Sequence, residues 1–172
     1  MPQMLSCSSQ SARLLLAAVI LATCLGCDQA TKRIATQKLR DSPPRSYLSG
    51  AVRLEFALNP GGFLSLGSRL PPRLRFWAFT AISGTLLVAI ACLLAMKWHM
   101  RLASFVPLVF VFAGATGNLI DRLTQDGLVT DFIILGIGPL RTGIFNVADV
   151  AITIGGVAFV LFYRDERAAP TS

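Results

Sequence analysis

IFNVADVAITIGGVAFVLFY, residues 144–163, decides the fold. A run of about 20 mostly apolar residues is what a helix needs to cross the hydrocarbon of a bilayer. This run holds one acid, Asp149, with Asn146 three residues before it on the same helix face. At 1.5 Å per residue the carboxyl sits roughly 7 Å inside the span. A charge there costs a few kcal/mol, so an intramembrane acid usually marks function.

Working outward, three more runs fit a span: about 14–31, 76–96 and 102–120. The chain has 172 residues, of which 53% are apolar and 15% charged, whereas soluble domains carry about a quarter charged residues. The expected fold is an all-α membrane protein, a single domain of four transmembrane helices over residues 1–172. Disordered termini are expected at about 1–11 and 165–172. Arg13 before a short apolar run gives the first span the look of a cleaved leader, and Leu21-Ala22-Thr23-Cys24 loosely has the form of a lipid-attachment signal. Three further spans argue against both. Val52 to Leu58 alternates in the strand period and Asn59-Pro60-Gly61-Gly62 is a turn signal, which predicts a small extramembrane sheet or hairpin between helices 1 and 2. The apolar residues 132–137 predict a second loop lying along the interface.

The net charge is +7. It favours anionic headgroups over nucleic acid, since the cations lie between apolar spans and form no basic-aromatic motif. Cys24, Cys27 and Cys92 fall in apolar runs without a completing metal-ligand set, and are expected to pack as small hydrophobes.

Successive spans alternate direction, so the loops after spans one and three share a membrane face. Asp28, Lys32, Asn59, Asn118, Asp121, Asp131, Asn146 and Asp149 all fall there. Asp28 and Lys32 are spaced i, i+4 for an ion pair, and Asn118 precedes Asp121 as Asn146 precedes Asp149. Asp121 beside Arg122 reads as a brace for the loop. Asp126 reads as solvated. On local grounds Asp131 is equally a loop carboxylate or a chemical group. Two carboxylates brought close cannot easily both ionise, and such a pair shares a proton, activating water and donating to a scissile carbonyl. The only histidine, His99, lies in the opposite link, which removes Ser-His, Cys-His and H-E-x-x-H chemistry. A carrier or proton pathway using Asp149 alone leaves Asp131 and Asn59 unexplained.

Four blocks carry a resemblance over nearly the whole chain. Asp28-Gln29-Ala30-Thr31-Lys32, Asn59-Pro60-Gly61, Gly117-Asn118-Leu119-Ile120-Asp121-Arg122 with Val129-Thr130-Asp131-Phe132, and Phe145-Asn146-Val147-Ala148-Asp149 stand in family order. Together they resemble the lipoprotein signal peptidases, signal peptidase II. The resemblance implies an aspartic endopeptidase with Asp131 and Asp149 catalytic. Asp28, Lys32, Asn59, Gly61, Asn118, Asp121, Arg122, Asn146 and Ala148 would support the pair or position substrate. It implies no metal and no cofactor. The substrate would be a diacylglyceryl-modified prolipoprotein cut before its lipidated Cys, with membrane phospholipid as surroundings. The enzyme would be a multi-pass inner-membrane monomer with both termini cytoplasmic and the active site near the outer face. Gly62-Phe63-Leu64 departs from the family's second block, the run from Asp121 to Asp131 is one residue longer, and Arg141-Thr142-Gly143 replaces an aromatic-proline stretch. Charge count alone points to the opposite orientation. Arg13, Lys97, Arg101, Arg164 and Arg167 lie on the terminal face, and the other eleven of sixteen Lys and Arg on the polar face.

Overall fold

The computed structural model describes residues 3–60 and 70–168. Four helices in it are long and apolar enough to cross a membrane: α1 (Gln3–Leu39), α2 (Pro72–Met96), α3 (Leu102–Thr124) and α4 (Val147–Ala168). Pro72 at the first helical position starts α2 with its φ already set. Half of the apolar stretch of α3 is buried, against 6% for α2, so α3 is the helix around which the others assemble. Its closest partner is α4. Small residues allow that approach: a Cβ on Gly114 would lie 2.5 Å from the Ala148 carbonyl oxygen.

The helix bounds differ from the sequence expectation in three ways. No Gly or Pro interrupts residues 3–13, so α1 propagates through a segment expected to be disordered. The same reasoning carries α4 through 165–168, while residues 1–2 and 169–172 lie outside the described residues. At its other end α1 runs beyond Thr31 to Leu39. Its 37 residues span about 55 Å at 1.5 Å each, well beyond a hydrocarbon core of about 30 Å. The last turns therefore stand clear of the membrane, where Ala35 and Leu39 bury themselves against Leu54, Phe56 and Phe132. Finally, α4 starts at Val147 and not Ile144, because Phe145 is extended and bridges to Ile133.

The sheet has four antiparallel strands in the order β1 (Arg45–Tyr47), β2 (Val52–Asn59), β3 (Val129–Ile137), β4 (Leu140–Arg141). Only β1 and β2 come from the loop between α1 and α2. The apolar run 132–137, expected to lie along the interface, forms most of β3 and pairs with β2. The pattern of β2 alone could not reveal a partner some 75 residues away. The register sets Ala57 opposite Asp131 and Asn59 opposite Val129, with an irregularity between Leu54 and Ala57. Phe132 and Ile133 both donate their N–H to the Phe145 carbonyl, at 3.0 and 2.9 Å. That clamp carries the start of α4 to the strand holding Asp131.

On the opposite face, residues 97–101 make the tight link expected between α2 and α3. Arg13 Nη1 donates to the Trp98 and Met100 carbonyls at 2.5 and 2.9 Å, and its guanidinium lies over the Phe105 ring. The beginning of α1 is thus pinned to the link. Cys27 and Cys92 are exposed on the helix surfaces and not packed inside as expected, while Cys24 is half-buried.

Candidate active site

Every polar residue singled out on the α1-end face falls in one connected cluster or on its rim, except Gly61, which lies outside the described residues. Asp28 and Lys32 pair across one turn of α1 at 2.9 Å. Lys32 Nζ also reaches Asp121 Oδ2 at 3.1 Å and donates to Asn118 Oδ1 at 2.9 Å. One buried cation therefore lies between two buried carboxylates, which holds its desolvation in check. Asp121 does brace the loop: its Oδ2 accepts the Thr130 N–H at 3.0 Å. Asp126 is exposed. His99, also exposed, is on the far link.

The start of α4 is held from three directions. Asn146 Oδ1 accepts the Asp149 N–H at 2.9 Å, and Asp149 Oδ2 accepts the Asn146 N–H at 3.1 Å. This is a capping box with Asp at the third helical position, and it fixes the Asp149 carboxylate at the helix N-terminus. Asp28 Oδ1, from α1, accepts the Ala148 N–H at 2.9 Å. A carboxylate at this end also meets the positive end of the helix dipole. The contact requires Gly117, where a Cβ would lie 2.5 Å from Asp28 Oδ2. Ala148 contributes its backbone donor and its small size.

Three asparagines hold the two candidate acids. Asn146 Nδ2 donates to Asp131 Oδ1 at 2.7 Å, and Asn59 Nδ2 donates to Asp131 Oδ2 at 2.9 Å from the neighbouring strand. Asn118 Nδ2 donates to Asp149 Oδ1 at 2.9 Å. The i−3 spacing suggested that Asn118 serves Asp121, but its amide turns to Asp149. Its orientation is fixed because its own oxygen accepts from both Lys32 Nζ and, at 3.1 Å, Asn146 Nδ2. Arg122 Nη1 donates to the Asn118 carbonyl at 3.3 Å, leaving its buried Nε without a partner among the described residues.

Asp131 is 1% exposed. Burial pushes its carboxyl up to about 6, the Asp149 charge adds to that, and the Asn59 and Asn146 amides act against it. A carboxyl so placed keeps its proton to higher pH than an ordinary aspartate, beside a second carboxylate gripped by fixed donors. Such a pair can take a proton from water and give one to a carbonyl oxygen. A cleft of about 1050 Å³ opens between the sheet and α4. Asn59, Arg122 and the half-buried Asp149 line it with apolar side chains including Ile144, Val150 and Ile154. The apolar wall continues onto the exposed α4 surface at Val157 and Leu161.

Gln29 and Thr130 were not singled out from sequence. Gln29 Nε2 reaches Asp121 Oδ1 at 3.1 Å and Asp28 Oδ2 at 3.2 Å, and the Thr130 carbonyl accepts from Asn146 Nδ2 at 3.3 Å. Their positions next to Asp28 and Asp131 were the only available signal.

The chain is similar to known proteins over most of its length. The family model described as Signal peptidase (SPase) II matches residues 20–164. A lipoprotein signal peptidase from Burkholderia cenocepacia is 42% identical over 143 residues, 81% of this chain and 81% of that protein. One from Desulforapulum autotrophicum is 38% identical over 135 residues, 77% and 82% of the two chains. A bacterial membrane enzyme solved by the in meso method at 1.9 Å resolution superposes with a TM-score of 0.73 at 25% identity, covering 89% of this chain and 92% of its own.

Proposed function

The chain belongs to the signal peptidase II family, a membrane aspartic peptidase that removes signal peptides from prolipoproteins, and on that footing we propose that Asp131 and Asp149 are its catalytic pair. The observation that carries the assignment is the set of fixed N–H donors on all four oxygens of these two acids, with Asp149 and Asn59 on the wall of a largely apolar cleft and Asp131 buried behind Asn59. The pair holds one proton. Burial biases it toward Asp131, which donates it to the scissile carbonyl, while the ionised Asp149 removes a proton from the attacking water. Asp28, Lys32, Asp121, Asn118 and Asn146 position the pair. Asn59 and Arg122 border the path of the substrate chain, and the family resemblance assigns Gly61 a supporting role.

The substrate in this reading carries diacylglycerol on its Cys and is cut just before it. The apolar flank of the cleft, continuous with the lipid-facing side of α4, supports an approach from within the bilayer. The enzyme in this reading is a monomer surrounded by phospholipid. We place the termini in the cytoplasm and the site at the outer face of the inner membrane. The charge count that opposes this loses weight because Lys32 is consumed in the buried network, Arg122 in the site and Arg53 in a 2.8 Å pair with Glu55.

The test is cleavage of a diacylglyceryl-modified prolipoprotein by purified protein in detergent, read as a gel shift. Wild type should cut before the modified Cys, and Asp131→Asn and Asp149→Asn should not, while all three remain folded. Each loss should reach at least the 10²–10⁴-fold range of a general acid or base. Cleavage by either Asn variant at wild-type rate would remove that residue from the pair.

A further inference from the structure

We propose that the end of the sheet formed by Leu48, Ile137 and Leu140 is a membrane anchor that seats on anionic phospholipid of the leaflet beside the active site. These three apolar side chains are 76%, 85% and 78% exposed, yet they belong to an extramembrane sheet. They share one end of it. Ile137 pairs with Leu140 across the turn at Gly138 and Pro139. The Gly136 N–H donates to Ala51 O at 2.9 Å, and Arg141 Nη1 donates to Gly50 O at 3.4 Å, which sets residues 48–50 alongside that turn.

The backbone holds Leu48 in place at some expense. Leu48 and Ser49 have φ of 50 and 55°, in the left-handed region that side chains disfavour, ahead of Gly50 at 89°. Strain kept in order to present a large exposed hydrophobe is a mark of function. A sheet end facing only water would ordinarily be blunted with charge, and this one is apolar at the tip. Cations stand just behind it. Arg45 and Arg141 are exposed, and neither has a carboxylate within ion-pair distance among the described residues. An apolar tip with arginines set back from it matches the layering of an anionic leaflet, acyl chains below and phosphates above. The partner is already at hand, because the same sheet rests on α1 where that helix leaves the lipid. This inference is independent of the catalytic assignment.

The experiment uses the full chain with Cys7, Cys24, Cys27 and Cys92 replaced by Ala and a nitroxide label at Ile137→Cys. It is placed in nanodiscs of phosphatidylcholine with or without phosphatidylglycerol, after detergent cleavage activity confirms the fold. Oxygen collisions should exceed those of a nickel chelate in both lipids. Adding phosphatidylglycerol should raise the oxygen-to-nickel ratio several-fold, and Arg45→Gln with Arg141→Gln should cancel that rise. A label dominated by nickel in both lipids overturns the anchor. An oxygen-dominated label indifferent to phosphatidylglycerol overturns the anionic assignment. Shielding that appears only when two chains share a disc assigns the tip to a second copy and overturns the lipid reading.

Discussion

Replacing Asn59 by Ala removes the 2.9 Å bond from its amide to Asp131 Oδ2. A hydrogen bond to a charged group is worth about 1.5–3 kcal/mol, and one pKa unit corresponds to about 1.4 kcal/mol. Asn59 favours the ionised Asp131, so its loss raises by about one to two units the pH at which Asp131 gives up the proton it holds in the active form. The buried site, with Asp131 1% exposed, gives solvent little room to substitute for the amide. The alkaline limb of kcat/KM should move to higher pH by that amount, measured with lipid-modified substrate in detergent. On the alkaline side of the wild-type limb, activity relative to the plateau should rise roughly tenfold. A contribution of Asn59 to substrate binding would lower kcat/KM by one factor at every pH and leave the limb where it was. A limb that stays fixed, or moves to lower pH, refutes the claim that Asn59 tunes Asp131.

Lys32→Met leaves Asp28 and Asp121 buried without their shared cation, and unfolding in detergent should show a loss of about 3–5 kcal/mol. Gly117→Ala sets a methyl 2.5 Å from Asp28 Oδ2 and should cost about 1–3 kcal/mol, with cleavage reduced as the cap on α4 shifts. Asp131, raised to about 6 when folded, releases its proton more readily when unfolded, so its ionisation opposes folding. That penalty is absent below pH of about 4, grows between about 4 and 6, and is full above, on the order of 3 kcal/mol. Asp131→Asn should therefore flatten the fall in melting temperature over that interval. An unchanged slope would show that the carboxyl is not held protonated by the fold.

The parts of the site that could be read from sequence were those with local spacing. Asp28 with Lys32 is an i, i+4 pair and forms as such. Asn146 with Asp149 was read only as sharing a face, although an Asn three residues ahead of an acid also has the spacing of a capping box, which is what it forms. Asn118 shows where local reasoning ends. Its partner is chosen by Lys32 from another helix, and no spacing within α3 predicts that. Asp131 was undecided from its neighbours and needed the resemblance, since it meets Asn59 only through strand pairing. The extent of α1 was missed because hydropathy falls at Lys32 and Arg33 while the helix continues. Burial of Lys32 and docking of Leu39 on the sheet support those last turns, and both are tertiary effects.

The bond from Ala148 to Asp28 joins positions 120 residues apart. During synthesis the first three spans would bring together Asp28, Lys32 and Asp121, leaving one negative charge in excess with no helix end to receive it. Only when the final span arrives does its N-terminus accept Asp28, and in the same step it delivers Asp149 and Asn146 to Asp131. On the proposed assignment the nascent chain therefore lacks half of its catalytic pair until α4 has been made, and cleavage waits on the insertion of that helix.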